Sequence, residues 1–134
     1  MSLIIPAIKY ADCNAAIDWL CSVFGFEIHF CVEGPGDTVA HAQLRLGEHM
    51  IMVGSTDRSD FGVLNVPPAQ VGGKVTTSLY VCDEDVDTRF SFAVSAGAEI
   101  AIALREEDHG GKSFSCRDLE GHLWTFGSYN PWMP

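Results

Sequence analysis

Five histidines, His29, His41, His49, His109 and His122, are the residues in this chain best suited to proton transfer or metal binding near neutral pH. None falls in an H-x-x-x-H or HExxH pattern, so no helix offers a ready pair of ligands. His49 and His122 occupy equivalent turns after Glu48 and Gly121, and His109 lies in an Asp-His-Gly-Gly loop. These three read as polar, solvent-facing residues. His41 differs, because Ala42, Leu44 and Leu46 alternate with His41, Gln43 and Arg45 along one strand-like segment. The imidazole and amide therefore share a face opposite an apolar one. An imidazole there could act as a general base, with Arg117 or Ser115 steadying a developing oxyanion. The five cysteines (Cys13, Cys21, Cys31, Cys82, Cys116) form no CxxC pair and no zinc-like spacing. They read as small buried hydrophobes in a reducing cytoplasm. No nucleophile elbow, phosphate loop or dinucleotide fingerprint is present, and Gly34-Pro-Gly36 is turn chemistry.

The same alternation sorts the other strands. Ile51 and Val53 go to the core and leave Met50 and Met52 on the opposite face. Phe114 and Cys116 leave Ser113, Ser115 and Arg117, while Trp124 and Phe126 leave Leu123 and Thr125. If the apolar faces pack under helices, the other faces carry thioethers, hydroxyls, His41 and Gln43. Such a lining suits binding an organic molecule better than demanding chemistry.

The elements that must position these residues follow from the pattern. Ser2–Lys9 reads as a strand. Asp12 or Asn14 can cap a helix whose apolar face is Ile17, Leu20, Cys21 and Phe24, ended by Gly25. Strands follow at Glu27–Val32, Val39–Leu46 and His49–Val53, with turns at 33–37 and at Gly47-Glu48. Residues 57–73 read as a linker long enough to form a flap. The order then recurs: a strand at Val75–Val81, an acidic helix start at Asp83–Asp87, and an inner face of Val86, Phe90, Ala93 and Gly97. Strands at Glu99–Ala103, Lys112–Arg117 and His122–Gly127 complete it, the last two joined by the turn at 118–121. Trp19 and Phe24 read as core, while Tyr129 and Trp132 could cover the cleft or dock on a partner subunit.

The chain is thus written twice. Both helices run into Gly-x-Glu-Ile (residues 25–28 and 97–100), and both last strands close in glycine. The helix phases differ, so a one-residue adjustment is needed between the copies. Two modules of order β-α-β-β-β, about 1–56 and 74–129, give an α+β domain with a curved mixed sheet and a central cleft. With 134 residues, 47% apolar and 19% charged, the chain can bury one domain's core. Eighteen acidic against eight basic residues give −10, which repels nucleic acid and anionic membranes and weakly favours cationic ligands. No run approaches the ~20 apolar residues that span a bilayer, and MSLIIPAIKY has no export signature. A cytoplasmic location is expected.

The pieces AAIDWLCSVFGFE, HAQLRLGEHMIMVG, AGAEI and GGKSFSCRDLEGHLWTFGSYNPW, in that order, resemble the vicinal oxygen chelate superfamily. They are closest to its glyoxalase/bleomycin-resistance-like branch, including PhnB-like sequences. The superfamily's metal enzymes place ligands, typically His or Glu, on the first and last strands of each module. Carried onto this chain, those positions are Ile5, Met52, Thr76 and Thr125. None suits a hard or borderline divalent ion, so neither a bound metal nor any other cofactor is expected. Thr76, Ser78 and Tyr80 share the parity of the missing ligand. The expected lining is therefore Ile5, His41, Gln43, Met50, Met52, Thr76, Ser78, Tyr80, Ser115, Arg117 and Thr125. The resemblance implies a metal-free small-molecule-binding protein that would sequester a drug-like, aromatic or cationic ligand. The alternative is a glyoxalase-related lyase or isomerase that uses His41 as general base or an atypically bound metal. Many members are homodimers, and a homodimer is expected here.

Overall fold

Two aspartates start the two helices. In the computed structural model, which describes residues 2–133, the Asp12 carboxylate accepts from the Ala15 amide at 3.1 Å and opens α1 (Cys13–Trp19). The Asp85 carboxylate accepts from the Thr88 amide at 3.3 Å and opens α2 (Val86–Ser95). Each satisfies an amide that the first helical turn leaves unpaired. Past each helix stands a left-handed glycine, Gly25 and Gly97, both with φ of 82°.

Between cap and glycine the first copy holds residues 13–24 and the second only 86–96, a surplus of one. A π turn over Leu20–Phe24 absorbs it. Its wider winding keeps Leu20, Val23 and Phe24 buried although the chain is one residue too long for a plain α-helix. The adjustment that the sequence requires between the copies is this turn.

The chain divides into two compact units, Met1–Gly73 and Lys74–Pro134. The first contains β1 (Ala7–Tyr10), α1, β2 (Glu27–Glu33), β3 (Val39–Leu46) and β4 (His49–Ser55). The second contains β5 (Leu79–Cys82), α2, β6 (Glu99–Glu106), β7 (Lys112–Arg117) and β8 (Leu123–Gly127). Each unit forms one mixed four-stranded sheet, ordered β1-β4-β3-β2 and β5-β8-β7-β6. In each, the first strand runs parallel to the last and the other pairs are antiparallel. The α+β duplication is therefore as the sequence predicts.

Within the first unit, Ile8, Tyr10, Ala42, Leu44, Ile51 and Val53 are buried on the helix side with Ala16, Ile17 and Leu20. Within the second, Phe114, Cys116, Trp124 and Phe126 play that part beneath Val86 and Ala93. Phe114 stacks on Phe126 at 5.5 Å and meets Phe90 edge-on at 5.1 Å. The turn before β8 is organised by the buried Asp118. It accepts from the Glu120 amide at 3.1 Å, the His122 amide at 3.0 Å and the Trp124 indole at 3.0 Å.

Several boundaries differ from the sequence expectation. β1 begins at Ala7 rather than Ser2, and β5 at Leu79 rather than Val75, whereas β6 extends to Glu106. Segment 57–73 contains two short 3-10 helices, Gly62–Leu64 and Pro68–Val71, and belongs to the first unit. Phe90 is only half-buried, and Gly97 is an exposed terminator outside the inner face. The cysteines also depart from expectation: Cys13 and Cys116 are buried and Cys21 half-buried, but Cys31 and Cys82 are exposed. No helix among the described residues is long and apolar enough to cross a membrane.

Candidate functional site

The helix covers one face of each sheet, so pleating sends alternate residues to the opposite, open face. In the first unit that face carries a row in strand register, Ala7, Met52, Gln43 and Phe30. Met50 lies opposite Arg45, and Val32 opposite His41. His41, Gln43, Met50 and Met52 are half-buried. The Gln43 Nε2 lies 3.1 Å from His41 Nε2. In this assignment of the amide it donates to the ring, occupying the lone pair that a general base would use. Ile5 is half-buried and precedes β1.

In the second unit the matching row is Ile102, Ser115, Thr125 and Tyr80. The Ser115 and Thr125 hydroxyls share a hydrogen bond of 2.7 Å. The Tyr80 hydroxyl leans over Gly127, where a Cβ would collide with it, and donates to the Tyr129 carbonyl at 2.7 Å. Burial, then the neighbouring Cys82, raises the Tyr80 pKa above the ordinary phenol value, so Tyr80 stays a neutral donor. Arg117 pairs with Glu99 at 3.2 Å and donates to the Gly121 carbonyl at 3.1 Å.

Tyr80, Ser115 and Thr125 are therefore adjacent, as are Gln43 and Met52 with His41 beside them. Thr76 and Ser78 do not join their row, because both are exposed and precede β5. Sequence reasoning missed Phe30 and Ile102, which end the two rows, and Lys9, which shares the first open face as register partner of Gly54. Parity along β2 is broken by a bulge between Ile28 and Phe30, which hides the assignment of Phe30.

The side chains at the four family ligand positions, Ile5, Met52, Thr76 and Thr125, do not form a donor set for a divalent ion. Among the described residues no three His, Cys, Asp or Glu side chains converge into a possible cage. Burial, aided by Asp118, pushes the Cys116 thiol up to about 12, which disfavours the thiolate. A depression of about 380 Å³ in the second unit is lined by Glu84, Asp87, Glu106, Glu107 and Lys112, among others, and by none of the expected site residues. Lys112 there pairs with Asp87 at 3.3 Å.

Comparison with known proteins places this geometry. Among solved structures the chain is similar to TioX from Micromonospora sp. ML1. That structure is 34% identical with a TM-score of 0.76, covering 97% of this chain and 100% of the other. The fosfomycin resistance protein FosX from Listeria monocytogenes shares the fold at 14% identity and a TM-score of 0.70, over 98% of this chain and 96% of its own. An uncharacterized protein of Mycobacterium bovis is 29% identical over 122 residues, spanning 91% of this chain and 80% of that relative. The family model of the Glyoxalase/Bleomycin resistance protein/Dioxygenase superfamily matches residues 6–126, and the chain belongs to that superfamily.

Proposed function

We propose that this protein binds a small, partly aromatic organic molecule on the open faces of its sheets, with no metal ion in the site. The observation that carries the reading is the pair of register rows. One offers Met52, Gln43 and Phe30, the other Ile102, Ser115, Thr125 and Tyr80. Thioether and aromatic surfaces contribute non-directional contact, and a few hydroxyl and amide groups fix orientation. The chain's charge of −10 favours a cationic over an anionic ligand.

A FosX variant from Listeria has been crystallised with Mn(II) and 1S,2S-dihydroxypropylphosphonic acid. Here the ligand positions carry isoleucine, methionine and two threonines, which supports a different use of the same fold. The contact between His41 and Gln43 likewise supports binding over general-base catalysis. We infer in addition that two copies associate along the edge strand β2, which leaves Ile28 57% exposed on the face away from the row that carries Phe30.

A thermal-shift screen of aromatic and cationic drug-like compounds, run with a chelator present, tests the reading. At least one compound is expected to raise the melting temperature progressively with concentration, as binding to the folded state requires. A flat response across such a panel would count against a ligand site.

A further inference from the structure

A nearly enclosed lysine side chain sits on the open face of the first sheet, beside the row of Ala7, Met52, Gln43 and Phe30. The Lys9 side chain is 12% exposed, and its Nζ lies over Gly54, 3.4 Å from where a Cβ would stand. The Ser55 carbonyl accepts from its Nζ at 3.4 Å, the Asp57 carboxylate stands at 3.7 Å, and the Phe61 ring centroid is 5.7 Å away. Asp57 and Phe61 belong to the segment that leaves β4.

That segment is folded upon itself. Asp57 Oδ1 accepts from the Ser59 amide at 3.0 Å and from the Ser59 hydroxyl at 2.5 Å. Ser59 Oγ in turn accepts from the Gly62 amide at 3.0 Å, and Val63 N donates to the Ser59 carbonyl at 3.1 Å. Bonds from Ser59, with Lys9 adding to them, hold the Asp57 carboxyl below the usual carboxylate range, so it stays ionised. Yet the segment buries little apolar surface: Phe61 is 53% exposed, Val63 64% and Leu64 82%. A segment that is well bonded internally but poorly packed opens locally at low cost, unless a specific contact restrains it. Lys9 is placed to be that contact.

We propose that Lys9 is a latch that pins residues 57–66 as a hinged cover over one end of the first sheet's open face. The cover opens as a unit when the contacts to Asp57 and Phe61 break. The inference rests on the ligand-binding reading only for the cover's purpose, which is to admit a molecule to that face.

Amide hydrogen exchange on the ligand-free protein tests the latch. In Lys9→Met the amides of Ser59, Gly62, Val63 and Leu64 are expected to exchange on the order of tenfold faster, the scale of a partly desolvated cation–π and ion-pair contact. Those of Leu44 and Val53 should keep their wild-type rates, and Lys9→Arg should stay close to wild type. Raising salt to about 1 M should accelerate the same loop amides in the wild type but not in Lys9→Met. Unchanged loop exchange in Lys9→Met would overturn the latch, as would acceleration shared equally by Leu44 and Val53. The salt series needs no substitution, and loop exchange indifferent to salt in the wild type would overturn the proposal by itself. No ligand enters these measurements, so the latch and the binding function fail separately.

Discussion

Asp118 shows how much one side chain does in the second unit. Its carboxylate gathers two turn amides and the buried Trp124 indole, so turn and core share one acceptor group. Asp118→Asn keeps an oxygen for the amides but turns an NH₂ towards the indole N–H. A buried donor left unmatched costs about 1–3 kcal/mol, and urea denaturation should show a loss of that size with an unchanged slope. A loss under about 0.5 kcal/mol would mean that the indole bond is not structural. At this scale the open-face residues on β3, β4, β7 and β8 were readable, because strict alternation along Ala42–Leu46 and Phe114–Arg117 fixes the side of each residue. Lys9 was not readable. Its sequence neighbours suggest a strand-end charge in solvent, and only the register opposite Gly54 and the returning Asp57 show that it is enclosed.

Among the elements, the two helices are the sharpest contrast. The π turn means that the first helix carries a residue its packing does not require, whereas α2 carries none to spare. Deleting the exposed Ser22 should let Leu20–Phe24 relax towards an ordinary helical turn at a cost of about 1–2 kcal/mol. Deleting the exposed Ser91 should rotate Ala93 off the core face and cost more than about 4 kcal/mol. Equal losses in chemical denaturation of the two variants would contradict this account. Element order and the limits of β3 and β7 were legible from periodicity and terminators, whereas the caps were legible only as Asp12 or Asn14 and as an acidic start over Asp83–Asp87. The starts of β1 and β5 were not, because they depend on partners distant in sequence. Leu79 pairs with Trp124, so residues upstream of Ser78 would need partners in the Asp118–His122 turn, where no strand exists. The overlong linker signal at 57–73 concealed two helical turns too short to leave a periodic trace.

For the molecule as a whole, the duplicated pattern places corresponding rows on the two open faces while the side chains diverge. Gln43 and Met52 in one copy answer to Ser115 and Thr125 in the other. The duplication was visible in the sequence because the Gly-x-Glu-Ile repeats and closing glycines survive in both copies. The ligand was not visible, since hydroxyl, thioether and aromatic surfaces accept many organic molecules. Net charge of −10 narrows the choice by sign only. The most direct test is a calorimetric titration of a compound found by thermal shift, using chelator-treated wild type, Met52→Lys and Thr125→Lys. The account predicts the same Kd with and without chelator, and binding weakened about tenfold or more in at least one of the two variants, where a lysine brings bulk and charge to an open face. Binding that disappears with chelator and returns with added Mn(II) or Zn(II) would contradict it.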